Sequence, residues 1–195
     1  ILETTRDARL RLLRAGGRQV PQRLTLYARP LLIPDAEARQ RAIGHSALQR
    51  WQQLYGMDFR PLVDACLPGP VLMPTEAEIA ATWLPVGAAA PLLEVDLTTR
   101  DDVAVRAEAS LLVDDRTWVN AVAVTFRATL VDDVVHDMDP WRWPTSSWAV
   151  SVWVLPDPVL VAAGSSLRVR YTRRVADSPD GLVVVPGPQG IVPPG

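Results

Sequence analysis

Asp132-Asp133-x-x-His136-Asp137-x-Asp139 is the densest group of side chains here that could do chemistry. Carboxylates with one imidazole suit a hard divalent cation. Their spacing matches no established ligand loop, however, and the stretch falls between two strand-like segments, where acids act as solvated turn formers. The turn reading is preferred. Cys66 sits in an apolar stretch with no histidine nearby, so it reads as a core residue and not a nucleophile, which needs an electropositive neighbourhood. No glycine-rich phosphate loop, zinc spacing or nucleophile elbow occurs anywhere. Trp141, Trp143, Trp148 and Trp153 form the most unusual local enrichment. They either line a binding pocket or pack a core.

The elements that must position these residues change character along the chain. Residues 1–14 read as an amphipathic helix: Ile1, Leu2, Thr5, Ala8, Leu12 and Leu13 share one stripe, arginines fill the rest, and Gly16-Gly17 supplies a stop. A second helix is predicted from Pro34-Asp35 to about Gln53, with Ile43, Ala47, Leu48, Trp51, Leu54 and Tyr55 on one face. A short third helix is expected from Pro61, and Thr75-x-x-Glu78 has the form of a capping box. After residue 90 the period becomes two. Val103, Val105, Ala107, Ala109, Leu111 and Val113 alternate with polar neighbours. So do Val122, Val124 and Phe126, and later Leu167, Val169 and Tyr171. The turn-like separators Thr99–Asp102, Asp114–Arg116, Pro156–Pro158 and Gly164–Ser166 imply antiparallel pairing. The fold class is therefore mainly β with a helical appendage, an antiparallel β-barrel preceded by a helix and carrying a helical arm.

Composition narrows the partners. The chain has 195 residues, 20 Lys+Arg against 22 Asp+Glu, and a net charge of -2, which lacks the footprint of a nucleic-acid binder. No apolar run approaches the length needed to span a bilayer, and no signal-like segment opens the chain. The expected compartment is cytoplasmic. The first helix has a broad apolar stripe with nothing before it to pack on, which leads us to expect a partner domain on its N-terminal side.

The order of segments resembles the C-terminal half of protein arginine N-methyltransferases. Ile1-Leu2-Glu3-Thr4 through Arg9 is similar to the helix after that family's double-glutamate loop. Val20-Pro21 through Tyr27 resembles its crossover segment, where a proline, typically cis, joins cofactor domain to barrel. Trp51-x-x-x-Tyr55-Gly56-Met57-Asp58-Phe59 resembles the Tyr-Gly-Phe-Asp-Met stretch of its dimerisation arm, with Met57 and Phe59 exchanged. Trp118-Val119-Asn120-Ala121 with Phe126 is similar to a central barrel strand. Ser146-Ser147-Trp148, Val152-Trp153-x-Leu155 and Gly164 resemble the Thr-His-Trp loop and the strand and turn after it, with Ser147 where the family has histidine.

The resemblance implies three regions: residues 1–20 as the last helix and strand of a cofactor domain, 21–185 as a barrel with its arm at 34–66, and 186–195 as a flexible tail. It implies methyl transfer from S-adenosylmethionine to a guanidinium nitrogen, an SN2 step needing positioning and paired carboxylates. The glycine-rich cofactor loop and the paired glutamates have no counterpart in this chain, so the segment itself is expected to hold no cofactor and no metal. Ser147 and Trp148 are the catalytic candidates, Trp141, Trp143, Trp148 and Trp153 the substrate wall, and Trp51, Tyr55, Met57, Asp58 and Phe59 the dimer contact. The implied partners are a second copy through residues 36–66 and an arginine-containing peptide, with no nucleic acid and no membrane. The acidic pairs Asp101-Asp102, Asp114-Asp115 and Asp132-Asp133 could attract such a peptide, although solvated turns account for them equally. The alternative is a stand-alone barrel of the same descent that binds or converts a small hydrophobic molecule in a tryptophan-lined interior.

Overall fold

Alternating apolar and polar residues give strands that each bury one face, and here those faces meet around a common core. In the computed structural model the described residues are 2–41, 45–61, 71–73, 82–102, 104–132, 134–143, 150–173 and 181–185. The helices are α1 (Leu2–Arg11), α2 (Asp35–Arg41) and α3 (His45–Tyr55). The strands are β1 (Arg23–Leu32), β2 (Val71–Met73), β3 (Leu84–Pro85), β4 (Ala90–Asp96), β5 (Val105–Leu112), β6 (Thr117–Thr129), β7 (Val135–Asp137), β8 (Val150–Val161), β9 (Ser166–Arg173) and β10 (Gly181–Val185).

Seven strands form one antiparallel sheet in the order β2-β8-β6-β1-β3, with β4 also on β1 and β7 also on β6. The other sheet is β10-β9-β5. Leu92, Val95, Val119, Val122 and Trp153 of the first sheet pack against Val105, Leu111, Val169 and Tyr171 of the second. Among the described residues no ladder joins the two sheets, so they meet by packing around the core. The mainly-β, antiparallel architecture is as the periodicity predicts. The predicted inward set also holds: Val105, Leu111, Val122, Val169 and Tyr171 are buried, and Ala107, Val124 and Phe126 partly so.

The outer face of the large sheet carries a second core. Leu31, Ile33, Trp83, Ala121, Ala123, Val150, Val152 and Val154 cluster there, joined by Ala38 of α2 and by Trp141. Small side chains at Ala121 and Ala123 let α2 lie close to the sheet.

Several expectations change. The first helix stops at Arg11, and Leu12 and Leu13 follow it exposed, so among the described residues of the expected stripe only Leu2 enters the core. No strand precedes Arg23 among the described residues, and the Val20–Pro21 peptide is cis. The second predicted helix is described as α2 and α3, on either side of residues 42–44, which lie outside those described. Of the third, only Arg60 and Pro61 are described. Cys66, the Thr75–Glu78 box and the tail at 186–195 lie outside the described residues.

Pro156-Asp157-Pro158 is not a turn between strands but part of β8. Pairing runs Val119 with Val159 and then Ala121 with Val154, so Asn120 alone faces residues 155–158. Such a bulge leaves backbone groups without ladder partners, and proline has no N–H to lose.

Candidate functional site

Three loci hold the side chains that the sequence singles out. The first is the acidic stretch. Asp137 Oδ2 accepts from Arg127 at 2.9 Å and from Arg142 at 3.1 Å. Asp139 Oδ2 accepts from Arg29 at 2.6 Å, with both side chains largely buried. Its other oxygen, Oδ1, accepts the Trp141 amide at 3.0 Å. The Arg29 guanidinium also stacks 5.2 Å from the Trp141 ring centre, and Arg127 lies 5.1 Å from that of Tyr27. Hydrogen bonding to Asp137 holds the Arg127 guanidinium above its ordinary pKa. These carboxylates are thus neutralised by arginines and shape a turn. Asp132 adopts a φ of 53° and His136 is exposed on β7, while Asp133 lies outside the described residues.

The other acidic pairs act locally. Asp101 pairs with Arg9 of α1, which also donates to the Arg100 carbonyl oxygen at 3.1 Å. Asp102 Oδ1 accepts the Ala104 amide at 2.8 Å. The second is a turn interaction, and the first ties α1 to the β4–β5 connection.

The second locus is the tryptophan group, and here the structure corrects the expectation of one shared wall. Trp153 is buried in the inter-sheet core, edge-on to Tyr171 at 6.1 Å between ring centres. Trp141 packs on the opposite, outer face of the same sheet. Trp143 is 57% exposed. Trp141 sits in the turn after β7 and Trp153 on β8, so nearness in sequence does not bring the rings together. Ser147 and Trp148 lie outside the described residues.

The third locus is the arm tip. Helix α3 ends at Tyr55, where Gly56 takes a φ of 65° and donates its amide to the Gln52 carbonyl oxygen at 2.8 Å. That left-handed cap turns the chain back, and Phe59 packs edge-on against Trp51 at 5.6 Å and Tyr55 at 6.0 Å. Asp58 accepts the Arg60 amide at 3.0 Å and its guanidinium, whose hydrogen bonds hold the carboxyl below the usual range. Leu48 alone in α3 is fully buried, whereas Leu54, Tyr55 and Met57 are 67%, 65% and 57% exposed. The tip is an aromatic knob that the described chain leaves uncovered.

Sequence reasoning missed the Arg29–Asp139 pair and the bond of Trp83 Nε1 to Glu37 Oε2 at 2.9 Å. One signal was present: Arg29 shares strand parity with the buried Leu31 and Ile33, a charge on a face that is otherwise covered.

No family model matches this chain, and no curated protein matches it. Among solved structures it is similar to a chain of the Trypanosoma brucei PRMT1 enzyme-prozyme heterotetrameric complex with AdoHcy, with a TM-score of 0.61 and 15% identity. The match covers 88% of this chain and 53% of that one, so this chain spans about half its length. At such low identity the likeness is one of fold. The chain shares the mainly-β fold of the matched part of that structure.

Proposed function

We propose that this segment is the substrate-side and dimerisation unit of a protein arginine N-methyltransferase-like enzyme. The observation that carries the reading is the uncovered knob of Leu54, Tyr55 and Met57, backed by the half-buried Phe59, on an arm whose root is anchored in the sheet. Burying each large side chain contributes about 1.5–3 kcal/mol before the costs of association. A second copy of the chain is the occupant we assign to it, in a closed two-fold arrangement. The likeness to a chain from a heterotetrameric complex supports an oligomeric reading.

The methyl donor belongs to the other half of such an enzyme. The residues of this chain do not fit S-adenosylmethionine, because they include neither the glycine-rich loop nor the paired glutamates. No step is therefore assigned to the donor here. The contribution of this segment is positional: it presents one wall to an arginine-containing peptide and holds the subunits together. The interior-pocket alternative loses its support, because Trp141 and Trp153 face opposite sides of the sheet.

Sedimentation equilibrium of the intact protein and of a Tyr55→Ala, Met57→Ala, Phe59→Ala variant tests the assembly. We expect a dimeric parent and a variant with at least about a hundredfold weaker association, given three large apolar contacts. A variant as dimeric as the parent removes the arm from the interface.

A further inference from the structure

We propose that a hydrogen-bonded strut couples the root of the arm to the turn at residues 138–143, so that a docked arm and an ordered turn stabilise each other. The strut runs through five side chains from distant parts of the sequence. Trp83 Nε1 donates to Glu37 Oε2 of α2 at 2.9 Å. Trp141 Nε1 donates to the Trp83 carbonyl oxygen at 3.2 Å. The Trp141 amide donates to Asp139 Oδ1 at 3.0 Å, and Arg29 of β1 donates to Asp139 Oδ2 at 2.6 Å. Trp83 is 1% exposed and the Asp139 side chain 6%, while Glu37 and Trp141 are half-buried, so the links are partly shielded from water that could replace them.

The turn at the far end depends on the same aspartate. Besides Trp141, the amides of Arg142 and Trp143 donate to the Asp139 carbonyl oxygen at 3.1 and 2.9 Å. The Asp139 amide in turn donates to Asp137 Oδ1 at 3.1 Å. A shift of Asp139 therefore loosens all three following amides together. At the near end, Glu37 donates its own amide to the Pro34 carbonyl oxygen at 2.9 Å, where the arm leaves β1. A load on the arm thus reaches Glu37 first, then Trp83 and Trp141, and so the turn.

The functional sense of the coupling rests on the proposed reading of the arm as a subunit contact. The turn leads toward Ser147 and Trp148, the residues that the resemblance places on the substrate side. Glu37, Trp83 and Asp139 are then positioning residues through which assembly steadies that side of the barrel.

Amide hydrogen exchange of the full chain, followed by NMR, tests the strut. In Glu37→Ala we expect the amides of Trp141, Arg142 and Trp143 to exchange about tenfold faster or more. In Glu37→Gln, which still offers an oxygen to Trp83 Nε1, they should stay within about twofold of the parent. Trp141→Phe, which removes only the Nε1 donor to the Trp83 carbonyl oxygen, should conversely speed exchange at Glu37 and Ala38, while Leu111 and Val169 in the inter-sheet core report any global loss. Faster exchange confined to α2 in Glu37→Ala, or an equal rise at Leu111 and Val169, overturns the strut. The sedimentation experiment is separate: a monomeric parent with reciprocal exchange keeps the strut and ends the arm reading. A dimeric parent without reciprocity does the reverse.

Discussion

Asn120 and Ile33 hold each other through two hydrogen bonds of 2.8 Å. The Ile33 amide donates to Asn120 Oδ1, and Asn120 Nδ2 donates to the Ile33 carbonyl oxygen. Both residues are about 1% exposed. β1 has ended at Leu32 and β8 bulges away on the other side, so the asparagine side chain stands in for a missing ladder rung. It fixes the point from which the arm departs.

Replacing Asn120 with leucine should therefore leave two buried backbone groups without partners. The expected loss is about 2–6 kcal/mol, from a penalty of about 1–3 for each group. Urea unfolding measures it. A loss below about 1 kcal/mol would mean that water reaches Ile33 and the rung is dispensable.

Gly87, between β3 and β4, lies against the backbone at the end of β5. A Cβ there would sit 2.0 Å from the Leu112 carbonyl oxygen, and the Asp114 amide donates to the Val86 carbonyl oxygen at 3.2 Å. Backbone cannot swing aside as a side chain can. Gly87→Ala should destabilise by about 1–3 kcal/mol through forced separation of the strands. Thermal unfolding checks this, and a neutral variant would show that the junction has room.

The Arg29–Asp139 pair gives a contrast between breaking and replacing. With side chains 14% and 6% exposed, removing only Asp139 leaves a buried guanidinium. We expect Asp139→Ala to lose about 3–5 kcal/mol, and an Arg29→Met, Asp139→Leu double variant to recover a good part of it. Chemical denaturation of the two single and the double variants supplies the cycle. Strict additivity would mean the two charges do not interact.

How much could be read in advance depended on whether an element has one wet face. In β5 and β9 the inward Val105, Leu111, Val169 and Tyr171 alternate with the outward Arg106, Glu108 and Arg170, and the register was evident from sequence. In β6 and β8 the runs Val119–Ala123 and Val152–Leu155 are buried on both faces, so alternation vanishes and Pro156–Pro158 imitates a turn. The arm knob could be read because Trp51, Tyr55 and Phe59 meet across one turn of helix and its cap. Arg29 and Asp139 are 110 residues apart, and only the folded chain brings them together.

Asp96 offers a test of local electrostatics. Its Oδ1 accepts from Thr98 Oγ1 at 2.6 Å and from the Thr98 amide at 2.8 Å, and these bonds hold its carboxyl below the ordinary value of 3.8. A lowered carboxyl pKa in the folded state contributes stability that is present above the unfolded value and lost as pH falls through the folded one. NMR titration of the Asp96 side chain should show the depression, and Thr98→Val should move the midpoint back up. An unchanged midpoint in that variant would assign the depression to something other than the threonine hydroxyl.

Trp153 separates a packing role from a binding one. Its ring is buried edge-on to Tyr171 in the inter-sheet core, and its Nε1–H has no hydrogen-bond partner among the described residues. Phenylalanine removes that unpaired donor together with part of the ring, so the gain and the loss oppose each other. Trp153→Phe should lie within about 1 kcal/mol of the parent, whereas Trp153→Ala should lose about 3–5 kcal/mol by opening a cavity. Urea unfolding of both variants decides the matter. If phenylalanine is as damaging as alanine, the indole N–H makes an interaction that packing does not explain, and a bound polar group inside the barrel becomes the reading to pursue.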